Sequence, residues 1–123
     1  MRKACLVVSE YLAENRIFDS RLHRDNCLDC FVQLKKYFAQ KGYDLSTQDI
    51  NSVDDSDFVI YAANMPDILP KTEDIHKCFI ILSESAFIMP NNYDVKKHRC
   101  FNKIFTWSDD IVDDIKYIKL NFA

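Results

Sequence analysis

Cys78-Phe-Ile-Ile-Leu-Ser-Glu-Ser85, followed by Phe101-Asn-Lys-Ile-Phe-Thr-Trp-Ser-Asp-Asp110 and Tyr117-Ile-Lys-Leu-Asn-Phe122, decides the fold. Each stretch holds a short apolar run that reads as a strand, and the three follow one another closely. The same pattern occurs earlier, in residues 3–9 with two adjacent valines and in residues 58–63, which Asn64-Met-Pro66 ends. Residues 43–48 alternate as a half-exposed strand. Near-continuous apolar strands separated by helices or short connectors indicate a parallel sheet covered on both faces. The expected fold is an α/β domain, Rossmann-like or flavodoxin-like, with an open, mainly parallel sheet and helices on both faces.

The connectors carry the polar residues. Residues 10–26 are charged and aperiodic, a long loop of the kind that tends to carry function. Asp25 or Asn26 caps the next helix, which runs to Lys41 and ends at Gly42. At about 100° per residue, Cys27, Cys30, Phe31, Leu34 and Phe38 share one face of it, and Asp29, Gln33, Lys36 and Gln40 the other. Residues 49–57 read as an acidic loop and residues 67–77 as a further connector. Asp94 caps a short helix through Cys100.

At 123 residues the chain is expected to form a single domain over 1–123. Nine Phe and six Tyr argue for a packed core. A net charge of −3 and a pI near 5.5 oppose nucleic acid and anionic membranes as partners. No apolar run approaches transmembrane length, and the amino terminus lacks the apolar stretch of a signal peptide, so a cytoplasmic location is expected. Five cysteines without a secretion signal argue against a disulfide framework. With one glycine, Gly42, neither a P-loop nor a dinucleotide fingerprint can be written, and no cofactor is expected on this chain.

Several clusters have competing readings. Cys27-Leu-Asp-Cys30 has redox-motif spacing, but both sulfurs fall on the apolar helix face and Asp25 and Asp29 disfavour a thiolate; core packing is the better account. His23, Cys27 and Cys30 have zinc-compatible spacing without a second ligand pair, so no metal is expected. Asp109, Asp110, Asp113 and Asp114 lack the glycine and alternating oxygens of a calcium loop and read as a solvated turn. Lys96-Lys-His-Arg99 reads as the exposed face of a short helix. Arg21, His23 and Arg24, in the first strand–helix loop, suit an anionic or hydroxyl-rich ligand. Glu84 is the strongest candidate, a carboxylate just past an apolar strand and flanked by Ser83 and Ser85. Open α/β sheets gather ligands at that edge, and a carboxylate there can accept a proton from a substrate hydroxyl.

Taken in order, residues 80–85, residues 101–110 and the strand with Lys119 resemble the amino-terminal half of the α-1,3/4-fucosyltransferases, glycosyltransferase family ten. Asp57-Phe-Val-Ile-Tyr61 is similar to that family's preceding strand. Residues 34–45, ending Lys-Gly-Tyr-Asp-Leu, are similar to its first helix and second strand. The resemblance implies one half of a two-domain GT-B enzyme that binds the acceptor glycan. The partner, a carboxyl-terminal domain, would bind GDP-fucose for an inverting transfer, without a metal to hold the donor. By position Glu84 takes the role of general base, Ser83 and Ser85 flank it, and Arg21, His23 and Arg24 line the acceptor cleft by placement. Ala86 departs from the proline frequent in the family. The donor half is absent from these residues, so the isolated chain is expected to be inactive, and the lack of an anchor suggests a bacterial setting. Two other readings stand beside this one. The first is a non-enzymatic flavodoxin-like interaction module; the second is a small enzyme complete in itself, acting through Glu84 and the loop from Arg21 to Asp25.

Overall fold

The structure, a computed structural model, describes residues 1–19, 21, 29–62, 65–82, 90–106 and 111–119. It contains strands β1 (Arg2–Val7), β2 (Tyr43–Thr47), β3 (Phe58–Tyr61), β4 (Cys78–Leu82), β5 (Lys103–Thr106) and β6 (Tyr117–Lys119). Helices α1 (Asp29–Gln40) and α2 (Val95–His98) lie between them. The six strands form one sheet in the order β2-β1-β3-β4-β5-β6, and the pairs β1/β2, β4/β5 and β5/β6 run parallel. An α/β chain with an open parallel sheet is thus what the apolar runs build. The chain divides into two compact units, Met1–Val59 and Ile60–Ala123, with β3 contributing to each.

In the first unit, β1 buries Ala4, Cys5 and Leu6 completely, as its unbroken apolar run requires. Helix α1 turns Phe31 inward and leaves Gln33, Lys36 and Gln40 in solvent, the two faces expected from its periodicity. Gly42 ends it with φ at +87°, a left-handed cap that a side chain would strain. Phe38, Tyr43 and Phe58 meet edge to face or tilted at 5.3 to 6.4 Å, closing the amino-terminal end of this core.

Strand β2 departs from the expected alternation. Leu45, Ser46 and Thr47 are all buried, because the loop after β1 packs over the strand's polar end and supplies it with hydrogen bonds. That loop is also more regular than its sequence implies, with 3-10 turns at Glu10–Leu12 and Arg16–Phe18.

In the second unit, β4 and β5 bury Cys78, Ile80, Leu82, Ile104 and Thr106 around Phe101. The Phe101 ring meets Tyr61 edge-on at 5.3 Å. A 3-10 helix, Thr72–Lys77, leads into β4, and a 3-10 turn, Pro90–Tyr93, precedes α2. Helices on both faces were expected from the strand pattern. Among the described residues the crossovers after β3 and β4 are built instead from 3-10 turns and the four-residue α2. The Asp94 side chain caps α2 as expected, accepting from the Lys96 N–H at 3.1 Å.

Candidate functional site

Parallel strands align their carboxyl ends on one edge, where open α/β sheets collect polar groups. In the first unit that edge is formed by β1, β2 and the loop between β1 and α1. Asn15, with φ at 59°, adopts the left-handed conformation that asparagine tolerates. Its Oδ1 accepts from the Thr47 N–H at 2.9 Å, its Nδ2 donates to Ser46 Oγ at 3.3 Å, and its own N–H donates to Thr47 Oγ1 at 3.0 Å. Asp49 accepts from the Thr47 hydroxyl at 2.6 Å and from the Glu14 N–H at 3.1 Å. Those bonds, the Thr47 hydroxyl foremost, hold the Asp49 carboxyl below the usual carboxylate range. The Gln48 side chain closes a third tie: its Nε2 donates to the Val8 carbonyl at 2.8 Å and its Oε1 accepts from the Val8 N–H at 3.1 Å.

Beneath this edge lies a second polar knot. Asp44 accepts from Ser46 Oγ at 2.9 Å and from Asn51 Nδ2 at 3.1 Å, and Lys35 Nζ stands 3.4 Å away. Partial burial pushes its pKa up, but the Ser46 and Asn51 hydrogen bonds and the Lys35 charge together outweigh that and leave it lowered. Asn51 is 3% exposed, and its amide also donates to the Ala4 and Asp44 carbonyls, tying β1 to β2.

Of the residues expected to line the acceptor cleft, Arg21 alone is among those described. Its guanidinium makes a two-pronged bond to Asp19, Nε to Oδ1 at 3.0 Å and Nη2 to Oδ2 at 2.9 Å, on the surface. The Asp19 hydrogen bond raises the Arg21 pKa. Arg21 is therefore partnered within the loop, and a ligand would have to displace or join Asp19. Arg16 is also held within the loop, with Nη2 donating to the Glu10 carbonyl at 2.9 Å and Nη1 at 3.6 Å from Glu14. Ser83, Glu84, Ser85, His23 and Arg24 lie outside the described residues, as do Cys27, Asp109 and Asp110.

What the structure does fix is the frame on either side of Glu84. Leu82 ends β4, opposite Thr106 at the end of β5. Beyond the intervening segment, Asn92 is fully buried and its Oδ1 accepts from the Met65 N–H at 2.8 Å. His98 is 3% exposed, a correction to its reading as part of an exposed helix face. Its Nε2 stands 2.6 Å from the Asn92 carbonyl, which can only accept, so Nε2 carries a proton. In the neutral ring Nδ1 then accepts from the Tyr117 hydroxyl at 3.0 Å. Burial, followed by the nearby Asp113 charge, raises the Tyr117 pKa. Sequence reasoning missed Asn15, Gln48, Asn92 and His98, since their partners lie far along the chain; only asparagine's tolerance of left-handed backbone offered a signal, and that at Asn15 alone.

Among the described residues, no group of three or more His, Cys, Asp or Glu side chains is placed to hold a metal ion. No helix among them is long and apolar enough to cross a membrane. No family model, curated protein or solved structure matches the chain.

Proposed function

We propose that the chain is the acceptor-glycan-binding half of a fucosyltransferase-like GT-B glycosyltransferase, with a separate carboxyl-terminal domain binding GDP-fucose. The observation that carries this reading is the register of β4 on β5, Leu82 against Thr106. The two sequence stretches that most resemble the fucosyltransferases, Ser83-Glu-Ser85 and Trp107-Ser-Asp-Asp110, begin directly after these two residues. Leu82 and Thr106 themselves end neighbouring strands at the sheet edge where ligands gather. The strand order supports the finer fold assignment, since 2-1-3-4-5 is the order of flavodoxin-like doubly wound sheets and β6 extends it.

In this reading Glu84 takes the proton of one acceptor hydroxyl as that oxygen forms a bond to C1 of fucose. The bond from C1 to the phosphate oxygen breaks with inversion, and GDP leaves with the electron pair. Ser83 and Ser85 position the acceptor beside the carboxylate. The separate domain supplies all contacts to the nucleotide.

The test is an amide NMR titration of the chain with N-acetyllactosamine and then with GDP-fucose. A half-site binds weakly, with a Kd on the order of 1 mM. Saturable shifts at residues 83–87 with the sugar and none with the nucleotide are expected, and Glu84→Gln should keep the sugar shifts while abolishing transfer once the donor domain is joined. Silence toward every sugar would overturn the proposal in favour of a non-enzymatic interaction module.

A further inference from the structure

The amino ends of β5 and β6 carry two lysines side by side. Ile104 pairs with Tyr117 in the parallel ladder, and the Ile104 N–H donates to the Lys116 carbonyl at 2.8 Å. Lys103 and Lys116 precede those two residues and are therefore neighbours across the strands. Among the described residues neither ammonium meets a carboxylate. Lys116 Nζ donates to the Phe101 carbonyl at 2.5 Å, and Lys103 Nζ donates to the Ile115 carbonyl. Burial lowers the Lys116 pKa; the nearby Cys100 opposes that, and the charge of Lys103 adds to it.

The surrounding charges do not compensate this pair. Lys96, Lys97 and Arg99 add cations on and just after α2, and none of them makes an ion pair among the described residues. The acids of the same stretch bond backbone N–H groups and not the two ammonium groups. Asp94 accepts from the Lys96 N–H, while Asp113 Oδ1 accepts from the N–H groups of Ile115, Lys116 and Tyr117, each at 2.9 Å. Asp114 is exposed and makes no ion pair among the described residues. Two like charges on adjacent strands repel unless a counter-ion sits between them, more strongly where one of them is partly desolvated.

We propose that Lys103 and Lys116 form an oxyanion site on the amino edge of β5 and β6, and that its ligand is a phosphoryl group. A compact dianion satisfies two ammonium groups at once. An extended polyanion is disfavoured by the net charge of −3. The site is independent of the glycan-binding proposal, because it uses other residues and the opposite strand ends.

The test is an NMR titration of the full chain, following backbone amides and lysine ammonium groups, with inorganic phosphate and in parallel with glycerol phosphate. Saturable shifts at Lys103, Ile104 and Lys116 are expected, with a Kd on the order of 1 mM. Binding in both arms assigns the phosphoryl group itself as the ligand, and binding of the monoester alone assigns a phosphorylated molecule. Lys103→Gln should weaken binding by about tenfold, and Lys116→Arg, which keeps the charge, should retain what Lys116→Gln loses. Shifts that sodium chloride reproduces at equal ionic strength, or that both glutamine variants leave unchanged, would overturn the site, as would the absence of any saturable shift.

Discussion

Asn15 ties its loop to β2 through its side chain. It satisfies the backbone N–H of Thr47 and the hydroxyl of Ser46 while sitting at φ 59°. Asn15→Ala removes those bonds and keeps the strained backbone, so it should cost about 2 kcal/mol in urea unfolding. Asn15→Asp, which keeps the acceptor, should cost less, and equal losses would show that the acceptor does not matter. Two titrating residues contribute to the dependence of stability on pH. The folded pKa of Asp44 is depressed, so its stabilisation is complete above the unfolded value of about 3.9 and is lost as pH falls through the folded value. Asp44→Asn should flatten the acid limb of stability against pH. Cys78 behaves oppositely: burial, then Asp74, pushes its thiol up to about 11. Its contribution is complete below the unfolded value of about 8.5 and fades as pH rises toward the folded one. Cys78→Ala should remove that alkaline loss, and an unchanged alkaline limb would rule the thiol out as its cause.

Elements were legible wherever their signal was local. The apolar runs became strands, Gly42 ended α1, and Asp94 capped α2, because each depends on neighbours in the sequence. Long-range partners were not legible. Ser46 looks solvent-facing in an alternating pattern, yet it is buried with Leu45 and Thr47 under a loop that begins after β1. His98 lies among Lys96, Lys97 and Arg99 and reads as surface, until Asn92 and Tyr117 enclose it. The same limit applies to the candidate site. The grouping of Arg21 with His23 and Arg24 did not include Asp19, whose carboxylate claims the guanidinium. The enclosure of His98 predicts a measurable coupling between α2 and β6. Tyr117→Phe leaves Nδ1 of a buried ring without its donor and should cost about 1–2 kcal/mol. Repeating it in a His98→Phe background should cost much less, and a double-mutant cycle that shows strict additivity would remove the bond from the account of how α2 is held.

For the molecule as a whole, the consequence lies in how β5 is used at its two ends. Its first residue, Lys103, belongs to the proposed phosphoryl site, and its last, Thr106, borders the carboxyl edge where the glycan site is proposed. Three residue steps along the strand separate them by about 10 Å, which already exceeds the Debye length of about 8 Å at physiological salt. Charge at one end is therefore mostly screened from the other, and the parallel ladder on both sides of β5 gives little room for one end to move against the other. The two ligands should then bind without competing. Saturating phosphate should leave the midpoint of the N-acetyllactosamine titration unchanged within about twofold. Lys103→Gln should likewise spare the sugar shifts at residues 83–87, and Glu84→Gln should spare the phosphate shifts at Lys103 and Lys116. Mutual displacement would mean that sugar and phosphate occupy one site, and would merge the two proposals into a single preference for an acidic, phosphorylated glycan. Independence would instead give the chain a glycan-binding edge and an anion-binding edge joined by the same strand.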